Sequence, residues 1–381
     1  MTDWISADEA LERLGVRAQT LYAYVSRGRV RAEADPADPR RSRYRRADID
    51  QLVGRKLRGR KTADVAQGAI SWGEPVLNSA ITTVQDGRLW YRGRDAVILA
   101  ETETLESVAR LLRGGHGAAL KRIERPPPPD LPDMRARAFA VLAARAAADP
   151  PSRGRAPLVM AVEATSLLDA LADAIAGDAG PGPIHERLAR AWGCGAGGGD
   201  LIRRALVLLA DHELNASTFT ARVAASTGAS LSACALAGLA ALSGPLHGGM
   251  AARVEAFAEE VERKGAGPAV AARLAQGAPI PGFGHALYPE GDVRAEALLK
   301  VFEAPPAYRA LHEATRAATG ESANIDFALT ALARALSLPQ GAPFALFAVA
   351  RCAGWIAHAM EQVSSGSLIR PRARYIGPEP A

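Results

Sequence analysis

The chain has 381 residues, 48% hydrophobic and 5% aromatic, a length that calls for two or three domains around a sizeable core. Its 15 Lys+Arg against 9 Asp+Glu in residues 1–61 leave 31 against 32 for the rest, so the basic excess belongs to an anion-facing head on a nearly neutral body. Three separated cysteines (Cys194, Cys234, Cys352) without a CxxC pair, and a start, Met1-Thr2-Asp3-Trp4, with neither basic nor apolar leader, exclude a disulfide framework and an export signal and point to reduced thiols in a cytoplasmic protein.

Ser6-Ala7-Asp8-Glu9 has the S-x-x-E form of a capping box and should start a short helix with Ala10, Leu11 and Leu14 on its apolar side. Gly15-Val16 turns, Gln19 to Ser26 forms a second helix, Arg40 to Arg46 a basic hairpin, and a third helix starts near Asp48. Residues 1–61 resemble the winged helix-turn-helix modules of the MerR and excisionase type, which implies DNA binding by the second helix and wing arginines. The competing reading is a solvated basic cap used for oligomer contacts. Residues 62–69 read as a linker.

Ile81 to Gly93 alternates apolar and polar residues around Asp86-Gly87, a hairpin signal, and Leu105–Leu112 follows as a helix. Pro126 to Pro129 mark an exposed loop over 115–133. Helices are predicted at 134–148, 157–176, 184–193, 200–210 and 250–264. Between Val223 and Ala252 there is no charged residue; the run suits a buried helix rather than a membrane span, because it is built of Ala, Ser and Gly and carries Pro245 and His247. It delivers His247 into the turn Gly244-Pro245-Leu246-His247-Gly248-Gly249, whose glycines should leave backbone amides bare beside the imidazole. A histidine so placed, taken alone, reads as a core residue satisfied by a backbone carbonyl.

It is accompanied by Asp211-His212-Glu213-Leu214-Asn215-Ala216-Ser217-Thr218, Pro281-Gly282-Phe283-Gly284-His285, Asn324-Ile325-Asp326, Phe347 to Arg351, and Leu368-Ile369-Arg370-Pro371. From about Ile70 to Gly377 the chain resembles the citrate synthase family in these segments and in their order. The resemblance implies a mainly α, two-domain helical fold: a body over 70–381, with a small mobile domain at roughly 249–331 inserted in a large one. It implies condensation of acetyl-CoA with oxaloacetate and hydrolysis of citryl-CoA to citrate and CoA, with CoA as substrate and product, no other cofactor, no metal and no membrane. The catalytic residues would be His247, His285 and Asp326. His212, Arg294, Arg351 and Arg370 would bind oxaloacetate, Arg370 by reaching the site of a neighbouring subunit in a homodimer. The chain departs from the pattern at Met250-Ala251-Ala252, where the family commonly has Ala-Asn-Glu, and at Asp292-Val293-Arg294, where it has Asp-Pro-Arg.

The residue types suit that chemistry. A thioester methyl is far less acidic than any side chain, so its enolate must be stabilised as it forms, and a neutral imidazole can donate to the oxyanion. A keto diacid needs a donor on its carbonyl and guanidinium forks on its carboxylates. From the residues alone, Asp326 fits a helix N-cap before Phe327–Leu336 equally well. Each arginine could be a surface residue, although Arg351 in the apolar run Phe344–Met360 should have an anionic partner. Two alternatives stand beside the main reading: 2-methylcitrate synthase, using propionyl-CoA, and a DNA-binding regulator whose citrate synthase-like body senses a metabolite.

Overall fold

A computed structural model describes residues 4–14, 16, 18–26, 30–36, 38–50, 77–115, 127–195, 197–373 and 375–378. The chain divides into two compact units, Met1–Asn78 and Ser79–Ala381; the expected linker at 62–69 lies outside the described residues.

The first unit runs β1 (Trp4–Ser6), α1 (Ala7–Leu14), α2 (Ala18–Ser26), β2 (Ala32–Asp35), β3 (Asp38–Arg45) and a helix α3 described over 46–50. Its antiparallel sheet has the order β1-β3-β2, with Tyr44 paired to both Ile5 and Ala32. Ile5, Ala10, Leu14, Leu21, Val30, Tyr44 and Ile49 form a small core. Ser6 Oγ caps α1 by accepting from Glu9 N at 3.2 Å, whereas the Glu9 carboxylate binds Arg13 and Arg46 rather than reaching back to the cap. Arg43 pairs with Glu33 at 2.8 Å and Arg31 with Asp48 at 2.7 Å, so part of the basic excess is compensated inside the unit.

The second unit opens with β4 (Thr82–Gln85), β5 (Arg88–Tyr91) and β6 (Arg94–Asp95), an antiparallel meander. Asp86 and Gly87 both take positive φ (52° and 69°), the two-residue hairpin geometry that matches strand twist, as Asp-Gly foretells. Asp95 then caps a helix the sequence reading does not contain, α4 (Ala96–Thr102), accepting from Val97 N and Ile98 N. The helices α5 (Leu105–Leu112), α6 (Met134–Ala148) and α7 (Pro157–Ala176) fall where predicted; α8 (Ile184–Ala191) and α9 (Gly198–Leu209) begin or end up to two residues away. The uncharged run is not one helix. Gly228, at φ +85°, and the Ser230 cap separate α10 (Ala216–Ser226) from α11 (Leu231–Leu242).

The remaining helices are α12 (Met250–Lys264), α13 (Ala266–Ala275), α14 (Val293–Leu299), α15 (Pro306–Thr319), α16 (Ile325–Ala335) and α17 (Ala342–Ser365). Although α17 is long and apolar enough to cross a membrane, 94% of its most apolar 18-residue window is buried in the protein. It is the spine of the larger core, packed by α5, α7, α9, α10 and α11. A smaller core of Val254, Phe257, Val261, Leu311 and Phe327 joins α12, α13, α15 and α16. Segment 249–331 supplies this second core, and through Ala295, Leu298 and Ile325 it also enters the first.

Candidate active site

The turn after α9 carries His212 and is held by hydrogen bonds from distant elements. The buried Tyr91 hydroxyl lies 3.1 Å from Val207 O, 3.2 Å from Leu208 O and 3.1 Å from Asp211 O, and accepts from Asp211 N at 3.3 Å. Val207 and Leu208 lie in the last turn of α9, where carbonyls lack the full set of intrahelical donors, although Val207 O also accepts from Ala210 N. Glu213, at φ +50°, is fixed by Val84 N, which donates to its carboxylate at 2.5 Å. From α17, Arg351 Nε donates to Leu209 O at 3.0 Å, and its guanidinium carbon lies 4.7 Å from the centre of the Phe347 ring. The anionic partner expected for Arg351 is not an ion pair: among the described residues no carboxylate is in salt-bridge contact with it. Burial lowers its pKa to about 10, with the Asp211 charge acting against that fall. A guanidinium so placed is equipped to receive an external carboxylate.

His247 occupies the turn after α11 as predicted, but the amides beside it are not bare. Gly248 N donates to Leu242 O and Gly249 N to Gly244 O. The glycines are needed for close approach: a Cβ on Gly248 would lie 2.5 Å from Leu242 O, and one on Gly249 2.7 Å from Pro245 Cα. His247 Nε2 lies 2.9 Å from Ser217 Oγ, which accepts from Trp355 Nε1 at 3.1 Å and donates to Asn215 Oδ1 at 2.7 Å. With the Ser217 proton on Asn215, His247 carries hydrogen on Nε2; turned towards Nε2, that proton leaves the hydrogen on Nδ1. Burial, then the charge of Arg351, lowers the His247 pKa to about 4, so the ring is neutral near pH 7.

His285 accepts at Nδ1 from Leu287 N, 3.2 Å away, so its neutral ring carries hydrogen on Nε2 and is a donor there. Burial and Arg294 lower its pKa to about 4. Its ring stands edge-on to His212, with centroids 5.1 Å apart, and His212 Nε2 lies 2.9 Å from Tyr288 Oη. Burial, with Arg294 and Arg351 nearby, holds His212 well below the usual histidine range. Arg294 is itself fully buried and clasped by Asp292, with Nε to Oδ1 at 2.9 Å and Nη2 to Oδ2 at 2.8 Å, while Asp292 Oδ2 also accepts from Ile325 N at 3.0 Å. The Asp292 for which the sequence reading had no role is therefore the counter-ion of Arg294. Beside His285 lies a cavity of about 450 Å³ whose lining includes Phe283, Gly284, Tyr288, Asp292 and Glu321.

Asp326 is not the helix cap. Asn324 takes that position, its side chain accepting from Asp326 N and Phe327 N, and this leaves the Asp326 carboxylate in the first turn of α16. Desolvation raises its pKa to about 6 against the opposing charge of Arg294. Arg351 bears on the ionisation of His212, His247 and Asp326, and Arg294 on that of His212, His285 and Asp326, so six of the seven sequence-predicted residues form one electrostatic group. The seventh, Arg370, is exposed and makes no hydrogen bond or ion pair among the described residues. Sequence reasoning assigned no role to Ser217, Tyr288, Asp292 or Tyr91; Ser217 lies within a motif it singled out. The group combines two buried guanidiniums, that of Arg294 paired with Asp292 and that of Arg351 without a carboxylate contact among the described residues, with three neutral imidazoles and a carboxyl of raised pKa.

Comparison with known proteins bears on the family and the fold. The family model described as citrate synthase, C-terminal domain, matches residues 132–372. Citrate synthase 2 of Bacillus subtilis is 37% identical over 191 residues, 47% of this chain and 51% of the relative; 2-methylcitrate synthase 2 of Corynebacterium glutamicum is 35% identical over 187, or 46% and 49%. The alignments thus span about half the length of these curated relatives. The fold resembles that of the Thermoplasma acidophilum citrate synthase solved in ternary complex with carboxymethyl coenzyme A and oxaloacetate, with a TM-score of 0.66 at 25% identity, covering 81% of this chain and 95% of that one. With the family's domain matched across more than half of its residues and that fold built around the histidines, arginines and aspartate described above, the chain belongs to the citrate synthase family.

Proposed function

We propose that the protein condenses acetyl-CoA with oxaloacetate and hydrolyses the resulting thioester. The observation that carries this reading is Asp326, freed from capping by Asn324, raised to about 6 and within the electrostatic reach of Arg294 and of an Arg351 that has no carboxylate contact among the described residues, the same two arginines that bear on the neutral imidazoles. Asp326 takes a proton from the acetyl methyl while His247, with Ser217 turned to donate to its Nε2, donates from Nδ1 to the enolate oxygen; one such donor is worth about 3 kcal/mol of barrier. The enolate carbon attacks the keto carbon of oxaloacetate, whose oxygen His285 Nε2–H polarises; the alkoxide formed takes up a proton equivalent to the one Asp326 removed from the methyl, relayed through His285 or water, so that both side chains regain their starting protonation. Water cleaves the citryl thioester to citrate and CoA. Arg351 and Arg294 hold oxaloacetate carboxylates, with His212 beside them. Arg370 completes the site of a neighbouring subunit in a homodimer. No further cofactor is needed, and with its free thiols the protein works in the cytoplasm.

The test is thiol release by the full chain with oxaloacetate and either acetyl-CoA or propionyl-CoA. Release of free CoA with concomitant citrate is expected; no release with either donor would overturn the reading. Likeness to a 2-methylcitrate synthase keeps propionyl-CoA as second donor, and faster release with it would move the assignment there. One methylene changes discrimination by only about 1–3 kcal/mol.

Residues 1–61 we read as a winged helix-turn-helix head. Its support is the order α1, α2, then the β2–β3 hairpin rich in arginine. Binding to duplex DNA should then weaken steeply with salt, and a flat response would favour an assembly role.

A further inference from the structure

Along α17, Arg351, Gly354 and His358 stand at positions i, i+3 and i+7, one stripe of the helix. They grip three consecutive residues of the turn that carries His212. Arg351 Nε donates to Leu209 O at 3.0 Å, Gly354 N to Ala210 O at 3.1 Å, and His358 Nε2 lies 3.1 Å from Asp211 Oδ2. His358 and Asp211 are 1% and 0% exposed, so neither meets solvent. Gly354 permits the approach, since a Cβ there would sit 2.2 Å from Asp211 Oδ1.

On its other side His358 Nδ1 lies 3.2 Å from Arg222 Nη1, which can only donate. Nδ1 therefore accepts, the hydrogen sits on Nε2, and His358 donates it to Asp211. Arg222 is held by Glu361 at 2.6 Å and Gln362 at 3.1 Å, and Glu361 Oε1 accepts from Ala80 N at 2.8 Å.

The Asp211 charge matters to its neighbours. Burial alone would favour its protonated form, but His358 and then Arg351 hold the carboxyl below the usual range. In turn Asp211 is the foremost group acting to keep the buried Arg351 charged.

We propose that His358 and Asp211 are a positioning pair that keeps Arg351 and the His212 turn arranged for an oxaloacetate carboxylate without touching it; this rests on the function proposed above. Removing the His358 donor leaves a buried carboxylate short of a partner, which lets the turn shift or Asp211 pair elsewhere. Arg351 and His212, the groups this turn holds, are the ones assigned to oxaloacetate, so that substrate should respond more strongly than the thioester.

The experiment compares wild type, His358→Phe and His358→Gln in the full chain, reading oxaloacetate affinity by calorimetry, KM for each substrate, kcat, and thermal melting. His358→Phe is expected to raise the oxaloacetate Kd and KM about tenfold or more and leave the acetyl-CoA KM within about twofold, whereas His358→Gln, whose amide can reach Asp211, recovers most of the affinity. Should His358→Phe not fold, His358→Asn, polar but too short to reach, replaces it with the same expectation. A folded Phe or Asn variant that binds oxaloacetate as wild type does, or one that weakens both substrates equally, overturns the positioning role alone. Wild type that binds no oxaloacetate overturns the proposed function and the positioning role with it.

Discussion

At the scale of single residues, burial raises the Asp326 pKa towards neutrality and lowers those of His247 and His285, which keeps both rings uncharged near pH 7. Asp326 rises from 3.8 to about 6 through desolvation, which brings a carboxylate closer to the task of a general base. Since the base must be ionised, CoA release is expected to fall as pH drops through about 6; a profile flat from pH 5 to 8 would remove Asp326 from that role. The same shift has a stability consequence of definite sign. The folded state binds this proton more tightly than the unfolded chain, so ionising Asp326 costs stability that grows between pH 3.8 and about 6 and stays constant above, up to about 3 kcal/mol for a two-unit shift. Asp326→Asn should therefore lose turnover by a thousandfold or so while melting higher than wild type at pH 8 and no higher at pH 3.5; an equal or lower Tm at pH 8 would contradict the desolvation argument. His247, His285, Asp326, His212, Arg294 and Arg351 were singled out through motifs that resemble the citrate synthase family; residue types alone left His247 a core histidine, Asp326 a helix cap and the arginines surface residues. The roles of Tyr288 and His358 could not be read there, since their partners His212 and Asp211 lie 76 and 147 residues away, and the pairing of Asp292 with Arg294, only two residues on, depends on both being buried.

At the scale of elements, α17 does two jobs that one helix can combine only because its faces differ. One face fills the core with Trp355, Ile356 and Leu346; the Arg351, Gly354, His358 stripe presents polar groups to the turn after α9. Gly354→Ala forces a methyl into contact with Asp211 and should destabilise the protein by about 1–3 kcal/mol and weaken oxaloacetate binding, as thermal melts and calorimetry will read. A variant as stable as wild type would mean that the turn yields freely. Helix periodicity located α6, α7 and α12 correctly because long amphipathic or alanine-rich stretches carry the signal for many turns. It missed α4, only seven residues long, whose start is marked by the Asp95 cap alone, and it ran α10 and α11 together because absence of charge says nothing about a break made by Gly228 and Ser230.

At the scale of the whole molecule, the second unit has two cores, one spun around α17 and a smaller one joining α12, α13, α15 and α16. His247 stands where α11 gives way to α12, and Asp326 begins α16, the helix common to both cores. The main-helical class and the family were readable from ordered motifs, whereas the division into cores was not, because Leu298 and Ile325 belong to the larger core although they lie in the segment that supplies the smaller. Arg370, exposed and without a partner in its own chain among the described residues, tests assembly. Arg370→Ala and Asp326→Asn should each be inactive alone, yet co-expressed they should regain turnover, since a mixed dimer holds one site with its own Asp326 and the neighbour's Arg370. No recovery would argue that Arg370 serves no shared site. The central claim, that two imidazoles and a carboxylate act on one pair of substrates, is tested most directly by a crystal structure of the full chain with oxaloacetate and carboxymethyl coenzyme A. The account expects an oxaloacetate carboxylate on Arg351, the keto oxygen within hydrogen-bond distance of His285 Nε2, and Asp326 and His247 facing the thioester end. Oxaloacetate bound elsewhere, or Asp326 turned away from the coenzyme, would contradict it.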